Sequence, residues 1–285
     1  MAILGVVLAA LVVQTPTGRT APPAHHAPTV GLALSGGAAR ALAHIGVLKV
    51  LEQAGVPVDM VAGTSMGSVI GGLYAVGYGA ARLETIVTGQ DWSRVLSDPV
   101  DRRDLPVARK ETEDRYLLTL PIYHGAVHLP RGVVPGERAW ELLTRLTWNA
   151  HAVGDFRRLP VPFVAVATDL ETGEAVVLDH GFLPDAIRAS MAIPSVFTPV
   201  ELDGRVLVDG GVVRNLPAED VRALGADVVV CSDVTDPLAP RDSIESLLDV
   251  LAQSVAFRTW DSEARERRAC DVLIAPDVHA FSTFA

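Results

Sequence analysis

The sequence predicts an α/β fold with a mostly parallel central sheet. Short apolar runs of strand length alternate with longer segments in which apolar residues recur every three or four positions. Residues 30–77 follow the order strand, helix, strand, helix, which predicts parallel strands joined by a right-handed crossover. Hydrophobic residues make up 49% of the 285, enough for one large core.

The first helix illustrates how the elements are assigned. Val47, Val50, Leu51 and Ala54 form one apolar face, and Gly55 ends the helix. The same reasoning, continued along the chain, predicts strands at residues 30–34, 59–62, 161–170, 174–179, 205–211, 227–234 and 271–277, and helices at 41–54, 68–77, 136–149, 184–192, 217–224 and 243–268.

One stretch, residues 91–135, departs from this alternation. It holds charge clusters followed by apolar pieces rich in Pro and Gly. A long irregular insertion of this kind is typical either of a lid over an active site or of an ordinary surface hairpin. Both interpretations are kept.

The N-terminal 28 residues are predicted to precede the fold, which then occupies residues 29–285. Residues 2–13 form an apolar run of signal-peptide length, although no Lys or Arg precedes it, and a polar, Pro-rich linker follows. We therefore expect an exported protein, periplasmic, secreted or membrane-associated. A cytoplasmic location is expected if the run is not a signal.

Net charge limits the partners that this protein can bind, and the two cysteines bear on disulfide and metal chemistry. The formal net charge of −10 argues against nucleic acid, since phosphate binding needs a basic patch, and against firm docking on anionic lipid. A neutral lipid surface stays open. Cys231 and Cys270 lie in apolar stretches and are expected to be buried free thiols. Their separation in sequence does not exclude a disulfide, and no metal-ligand spacing is present.

The strongest chemical signal is Gly-Thr-Ser-Met-Gly at residues 63–67, which follows a strand and opens a helix. This is the setting of a nucleophile elbow, in which a strained turn lifts Ser65 clear of the sheet. Gly63 and Gly67 let strand and helix approach closely, and the backbone at Met66 begins the helix whose N-terminus lies beside the hydroxyl. The pattern predicts a serine hydrolase.

Two further motifs follow strand ends. Ser-Gly-Gly-Ala-Ala-Arg at residues 35–40 lacks the pattern of a phosphate-binding loop, so an oxyanion hole is the favoured interpretation, with Arg40 adding positive charge. A nucleotide-binding module and a plain packing turn are the alternatives. Asp209, followed by two glycines, is placed at a turn where it can reach a neighbouring strand end.

The serine needs a base, and two candidates exist. His279 is the one histidine after Asp209, which makes a Ser65-Asp209-His279 triad formally possible. However, an α/β-hydrolase places several strands before its nucleophile, and here only two short strands precede Ser65. A Ser65-Asp209 dyad, in which the carboxylate takes the proton directly, is therefore preferred.

Together the three motifs resemble those of the patatin-like phospholipase family. The similarity runs from about residue 30 to residue 277, includes the block at 189–200, and over residues 92–137 is greatest to the secreted bacterial branch. In that branch the domain can precede an outer-membrane barrel, so this chain is expected to be a truncated or free-standing version. The resemblance implies a three-layer α/β/α patatin-like fold.

The resemblance also implies the activity and the roles of single residues. It implies a lipid acyl hydrolase with Ser65 as nucleophile and Asp209 as base. Its oxyanion hole would lie at Gly36, Gly37 and Ala38, with Arg40 beside it. It implies no metal or cofactor, and a phospholipid or other acyl lipid as substrate, in solution or at a membrane surface.

The glycine loop departs from the family pattern, because alanine stands at position 38. Alanine keeps its N–H, but it would be strained by about 1 kcal/mol if the loop needs a positive φ there. A lipid-binding pseudoenzyme that has lost turnover is therefore the alternative from another class.

Overall fold

The computed structural model describes residues 27–98, 122–123, 126–127, 131–235, 238, 241, 244, 247–278 and 280–281. Within them, eight strands, numbered in chain order, form one sheet. Its spatial order is β12 (Val272–Ile274), β11 (Val228–Ser232), β1 (Val30–Leu34), β2 (Met60–Thr64), β6 (Phe163–Asp169), β10 (Arg205–Asp209) and β9 (Val200–Leu202), and β7 (Ala175–Leu178) also pairs with β6.

The sheet is mostly parallel, as predicted. Strands β12, β11, β1, β2 and β6 run in one direction, whereas β10, β9 and β7 add antiparallel pairings. Two small ladders lie outside this sheet: β3 (Ile122–Tyr123) pairs with β4 (Ala126–Val127), and β5 (Gly132–Val134) pairs with β8 (Ser195–Phe197).

The helices of the described residues follow the predicted order, with two additions, Ala80–Thr88 and Trp92–Ser97. The second of these helices falls within the stretch predicted as an irregular excursion. Most of the Pro- and Gly-containing piece on which the lid interpretation rests lies at residues 116–121, 124–125 and 128–130, outside the described ones. No helix that the structure describes is both long and apolar enough to cross a bilayer. The helices are α1 (Ala43–Gln53), α2 (Met66–Ala75), α3 (Ala80–Thr88), α4 (Trp92–Ser97), α5 (Glu137–Leu146), α6 (Leu183–Ser190), α7 (Ala218–Ala223) and α8 (Leu247–Ala269).

Alternation along the strands divides the core into two layers. On β1, Leu32 and Leu34 belong to a buried cluster that also contains residues of α1, α2, α3, α5 and α6, whereas Ala33 belongs to the cluster on the opposite face, with residues of α7. The period of two that places alternate residues on opposite faces of a strand produces this division. The result is the three-layer α/β/α arrangement that the resemblance implied.

The start of the fold is fixed by Thr29, whose N–H donates to Asp227 Oδ2 over 2.9 Å. Thr29 therefore ties the beginning of β1 to the turn before β11. The predicted signal-like run lies in residues 1–26, outside the described residues. Export consequently stays a prediction.

The expectation of two free thiols is wrong. Cys231 and Cys270 form a disulfide, with their Cα atoms 5.8 Å apart. Cys231 lies on β11, and Cys270 lies between α8 and β12, the strand that pairs with β11. The long helix α8 thus returns the chain beside β11 after 39 residues, a proximity that spacing in the sequence does not reveal.

Candidate active site

Two strands end against one another and so bring Ser65 and Asp209 together. Strand β7 occupies one edge of β6, so β2 and β10 must share the other edge. Strand β2 ends with Thr64 opposite Val166, and β10 arrives from the other direction and ends with Asp209 opposite Ala167. The residue after Thr64 therefore meets the carboxylate. The carboxylate thus reaches the site from the end of β10, a strand that runs antiparallel to β6.

Ser65 lies in the strained turn expected of a nucleophile elbow. Its φ is 54° and its ψ is −127°, a conformation that costs about 1–3 kcal/mol for a residue with a side chain. The Ser65 N–H donates to Ser190 Oγ over 3.0 Å, and that hydroxyl donates to Val166 O over 2.6 Å. The turn is thereby held between β2, α2 and the end of α6.

The two glycines of the elbow are required by close packing. A Cβ on Gly63 would lie 2.5 Å from Gly67 O, and a Cβ on Gly67 would lie 2.5 Å from the carbonyl oxygens of Leu34 and Ser35. These separations are far below van der Waals contact. Strand β2, helix α2 and the end of β1 can thus meet only without side chains at these two positions.

The Ser65 hydroxyl donates to Asp209 Oδ2 over 2.6 Å. Both residues are buried, and the other carboxylate oxygen, Oδ1, accepts the N–H of Gly211 over 2.7 Å. Burial raises the pKa of Asp209 to about 6, and the hydrogen bonds from Ser65 and Gly211 only partly oppose this rise. A carboxylate with a raised pKa is a stronger base, so the pair can transfer a proton near neutral pH.

The glycine loop, residues 35–40, adjoins the nucleophile directly. A Cβ on Gly36 would come within 3.0 Å of Ser65 Cβ and 2.5 Å of Asn215 Oδ1. The loop is anchored at Ser35, whose N–H donates to Ser232 O over 3.1 Å and whose Oγ accepts the N–H of Val234 over 3.0 Å. The structure thus brings all three predicted motifs to one place.

Two of the proposed oxyanion groups are engaged elsewhere. The N–H of Gly36 donates to Asn215 O over 3.2 Å, so this donor faces a carbonyl and is not available to a substrate oxygen. The Arg40 side chain donates from Nε to Phe281 O over 2.8 Å. Among the described residues, no acceptor contacts the N–H groups of Gly37 and Ala38, which leaves these two as the open donors of the loop.

Ala38 adopts the backbone conformation that favours glycine. Its φ is 47°, so the condition for strain at this position is met, at a cost of about 1 kcal/mol. The hydrogen bonds that anchor Ser35 hold the loop in this conformation. Ala38 still has a backbone N–H that can donate to a substrate oxygen.

A completely buried histidine holds the base of the glycine loop. His44 Nε2 lies 2.8 Å from Ser35 O, and Nδ1 lies 2.7 Å from Ser232 Oγ. Since a carbonyl can only accept, Nε2 carries the proton and Nδ1 accepts from the serine hydroxyl. Burial lowers the pKa of His44 to about 4, so the ring is neutral at pH 7.

Within the part of the chain that the structure describes, no histidine contacts Ser65 or Asp209. His180 binds Asp179 at the surface, with Nδ1 and Oδ1 2.7 Å apart, and the ring of His151 packs against Phe182. His279, the third member of the alternative triad, lies outside the described residues.

Beside the elbow lies a small cavity of about 20 Å³ with an apolar lining. Met66, the residue after the nucleophile, and Met191, the residue after Ser190, both line it. Helices α2, α3, α4 and α5 supply the remaining walls. The lining residues are Met66, Val69, Leu73, Ile86, Val87, Trp92, Val95, Leu96, Ala139, Leu142, Leu143, Leu146 and Met191.

Two contacts of the site escaped the sequence analysis. Ser190 binds the backbone of Ser65, and Asn215 positions Gly36 through its backbone oxygen. Each lies in a block that was noted for its similarity to the family, at residues 189–200 and beside the Asp-Gly-Gly motif. Neither carries a signal of its own, because each acts through a partner more than a hundred residues away.

Known proteins resemble this chain over most of its length. The family model described as "Patatin-like phospholipase" matches residues 32–222. An uncharacterised NTE family protein of Mycobacterium tuberculosis is 34% identical over 203 residues, 71% of this chain and 48% of that protein. The protein "Lysophospholipase nte1" of Emericella nidulans is 31% identical over 235 residues, 78% of this chain and 13% of that protein.

Among solved structures, VipD from Legionella pneumophila matches 84% of this chain and 55% of its own, with 16% identity and a TM-score of 0.46. The chain spans about half, or less, of the length of the curated relatives named above. The match to the family model covers well over half of the chain and includes the whole glycine loop, the elbow and Asp209. The chain belongs to the patatin-like phospholipase family.

Proposed function

We propose that the protein hydrolyses a fatty-acyl ester of a lipid, with Ser65 as nucleophile and Asp209 as general base. The contact of 2.6 Å between Ser65 Oγ and Asp209 Oδ2 carries this proposal. The raised pKa of the buried carboxylate, about 6, supports its role as a base, since a base is most effective when its pKa lies near the working pH.

The proposed reaction has two halves. Asp209 takes the hydroxyl proton while Ser65 Oγ bonds to the ester carbonyl carbon, and the N–H groups of Gly37 and Ala38 stabilise the oxyanion. Collapse of the intermediate breaks the bond to the leaving alcohol, which receives the proton from Asp209. Water then attacks the acyl-enzyme, giving one proton to Asp209. Ser65 leaves as an alkoxide that recovers this proton, and the fatty acid is released.

The apolar cavity beside Met66 supports a fatty acyl chain as the group transferred. Its lining is apolar, and burying each CH₂ contributes about 0.8 kcal/mol to binding. Flexible Met66 and Met191 stand where the cavity adjoins the elbow, and methionine side chains rearrange easily. The cavity, at about 20 Å³, has room for little more than one water-sized group, so a fatty acyl chain enters it only by displacing these two side chains. The similarity to a lysophospholipase of Emericella nidulans points to the same substrate class.

The test uses Ser65→Ala, Asp209→Asn and a matched control, Ser93→Ala, which removes an exposed serine bonded to Asp91. On a p-nitrophenyl acyl ester, and on a phospholipid with its products identified by mass spectrometry, the first two variants should lose at least 10³-fold in rate, roughly the loss seen for catalytic groups. The control should keep its activity. Full activity in either of the first two variants would refute the dyad.

The strained Ala38 and the engaged N–H of Gly36 favour a second candidate, a lipid-binding pseudoenzyme. A fluorophosphonate probe separates the two, because only an activated Ser65 reacts with it. Labelling that Ser65→Ala abolishes supports the hydrolase. Absence of labelling, together with retained lipid binding, supports the pseudoenzyme.

We also propose that the protein is exported. The disulfide between Cys231 and Cys270 supports this, because disulfides persist in oxidising compartments. Cell fractionation of a producing bacterium tests the proposal. Recovery of all the protein in the cytoplasm with free thiols would contradict it.

A further inference from the structure

A second pocket, of about 230 Å³, opens at the start of α5. Glu137 and Trp140 of α5 line it, together with Asp185 and Arg188 of α6 and Thr198 beyond β8. The residues of α5 that line the apolar cavity are different ones. One helix therefore separates an apolar cavity from a pocket that contains charges of both signs.

The inner end of the pocket is formed by a buried cation. Arg188 is 5% exposed, and its Nη2 donates to Pro135 O over 2.7 Å and to Thr198 O over 3.3 Å. Its Nη1 is buried and has no hydrogen-bond partner in the described structure. The carboxylate of Asp98 is nearby, but both its oxygens accept N–H groups at residues 136–138. Arg188 nevertheless lines the pocket, and its positive charge favours an anionic ligand there.

The outer part of the pocket suits a cation. Trp140 is 41% exposed and donates from its indole Nε1 to Asp185 Oδ1 over 2.6 Å. The Glu137 carboxylate lies on the same rim. An aromatic ring flanked by two carboxylates is the arrangement that binds a substituted ammonium group. The pocket thus pairs a site for an anion with a site for a cation.

The pocket lies close to the nucleophile along α6. Arg188 precedes Ser190 by two residues, so their Cα atoms are only about 5–6 Å apart although the two side chains leave α6 on opposite sides. The Ser190 hydroxyl accepts the N–H of Ser65. The segment after α6 is tied to the other member of the pair, since the Asp209 N–H donates to Ala192 O over 2.9 Å. A lipid whose ester lies at Ser65 could therefore place its polar part here.

We propose that this pocket binds the zwitterionic head group of the lipid substrate, with the phosphate at Arg188 and the ammonium group on Trp140. The proposal rests on the proposed function, because the head group is that of the ester cleaved at Ser65. It assigns a preference for head groups that carry both charges over anionic or uncharged ones.

Binding is tested apart from catalysis in the Ser65→Ala protein, which cannot turn over substrate. Tryptophan fluorescence is followed on addition of soluble phosphocholine, choline or inorganic phosphate. Phosphocholine should bind at least tenfold more tightly than choline or inorganic phosphate alone. Trp140→Leu should weaken phosphocholine binding about 3- to 30-fold, the range of a cation–π contact, and the matched control Trp148→Leu should not. Trp148 is exposed and outside the pocket. Because Trp140→Leu removes the indole that would report binding, phosphocholine binding to this variant is measured by calorimetry. Equal affinity of phosphocholine for the Ser65→Ala protein with and without Trp140→Leu would overturn the proposal.

Turnover separates failure of the pocket from failure of the proposed function. Protein that retains Ser65 is assayed on three esters of the same fatty acid. These are a lysophospholipid with a zwitterionic head group, a monoacylglycerol and a p-nitrophenyl ester. Trp140→Leu and Glu137→Gln should lower kcat/KM about tenfold for the first ester only. If these variants hydrolyse the lysophospholipid as well as wild type does, relative to the other two esters, the pocket does not bind the head group. The proposed hydrolase activity would be unaffected by that result. No hydrolysis of any ester by wild type would refute the hydrolase itself.

Discussion

At the scale of single residues, Asp209 serves activity at the expense of stability. Its pKa of about 6 in the fold lies above the ordinary 3.8 of an aspartate. The folded protein therefore holds this proton more tightly than the unfolded chain does. The contribution to stability is complete below pH 3.8 and is lost as the pH rises through about 6. Above that pH, the fold contains a buried carboxylate that destabilises it.

We therefore expect Asp209→Asn to lose activity and to gain stability at pH 8. The gain should be about 1–3 kcal/mol, since each unit of pKa corresponds to about 1.4 kcal/mol. It should shrink toward zero by pH 4, where the wild-type carboxyl is protonated. Urea unfolding of both proteins at pH 4, 6 and 8 measures the difference. A gain that does not depend on pH would show that ionisation of Asp209 is not its cause.

The pH dependence of wild-type turnover tests the same carboxylate. Only the ionised form accepts the proton of Ser65, so kcat/KM should fall about tenfold per unit below a pH of about 6. The pKa of His44, held at about 4 by burial, would place its own titration well below this limb. An acid limb near pH 4, the ordinary range of an aspartate, would instead show that burial does not raise the pKa of Asp209.

His44 is expected to act as a positioning residue for the glycine loop. His44→Ala removes the partners of Ser35 O and Ser232 Oγ, and each buried group left unpaired costs about 1–3 kcal/mol. Displacing the loop should lower kcat about 10²-fold, while KM for an acyl ester changes little because the apolar cavity is intact. His44→Gln, which keeps one donor and one acceptor, should recover part of kcat. Equal kcat values for both variants and wild type would contradict this role.

The sequence alone identified the residues that carry their own signal. Ser65 and Asp209 stand out because glycines flank them at strand ends, and the structure brings them into contact. The oxyanion donors were harder to assign. Gly36 looks equivalent to Gly37 in sequence, but its N–H is taken by Asn215, which lies far along the chain. Such long-range hydrogen bonds leave no local pattern.

At the scale of elements, the packing of α2 against the end of β1 depends on the absence of a side chain at Gly67. Gly67→Ala would place a Cβ 2.5 Å from two backbone oxygens, and backbone cannot move aside easily. We expect a loss of about 2–4 kcal/mol, at or above the usual range for overpacking, and loss of activity.

The matched control is Gly46→Ala, in the middle of α1. A Cβ there has nothing within 4 Å, so alanine should stabilise the helix by about 0.5–1 kcal/mol. Thermal unfolding of the two variants should move in opposite directions. A destabilised Gly46→Ala, or an unchanged Gly67→Ala, would contradict the packing argument.

Long elements with strong apolar patterns were predicted well, and short ones were not. Strands β1, β2, β6 and β11 are buried apolar runs with clear ends. Strands β8 and β9 have three residues each and owe their conformation to partners in the ladder. The direction of β10 could not be predicted, because the apolar pattern of a strand does not depend on whether its neighbour runs parallel or antiparallel.

At the scale of the whole molecule, the disulfide joins the turn before the last strand, β12, to β11, the strand that pairs with it near one edge of the sheet. It closes a segment of 39 residues between β11 and the start of β12. Closing a loop of this length restricts the unfolded chain and stabilises the fold by about 4 kcal/mol in the chain-entropy treatment. Strand β11 also carries Ser232, the partner of both Ser35 and His44. Its stability therefore bears on the glycine loop as well.

Replacement of both cysteines, as Cys231→Ala with Cys270→Ala, should lower the free energy of unfolding by about 2–4 kcal/mol. A reductant should destabilise the wild type by a similar amount and leave the double variant unchanged, which separates the covalent link from the loss of two apolar side chains. Urea unfolding with and without dithiothreitol provides the measurement. If the reductant has no effect on wild-type protein with a titrated disulfide, the link does not stabilise the fold. If the wild type instead titrates with two free thiols, the pairing itself is wrong, and the main support for export is lost with it.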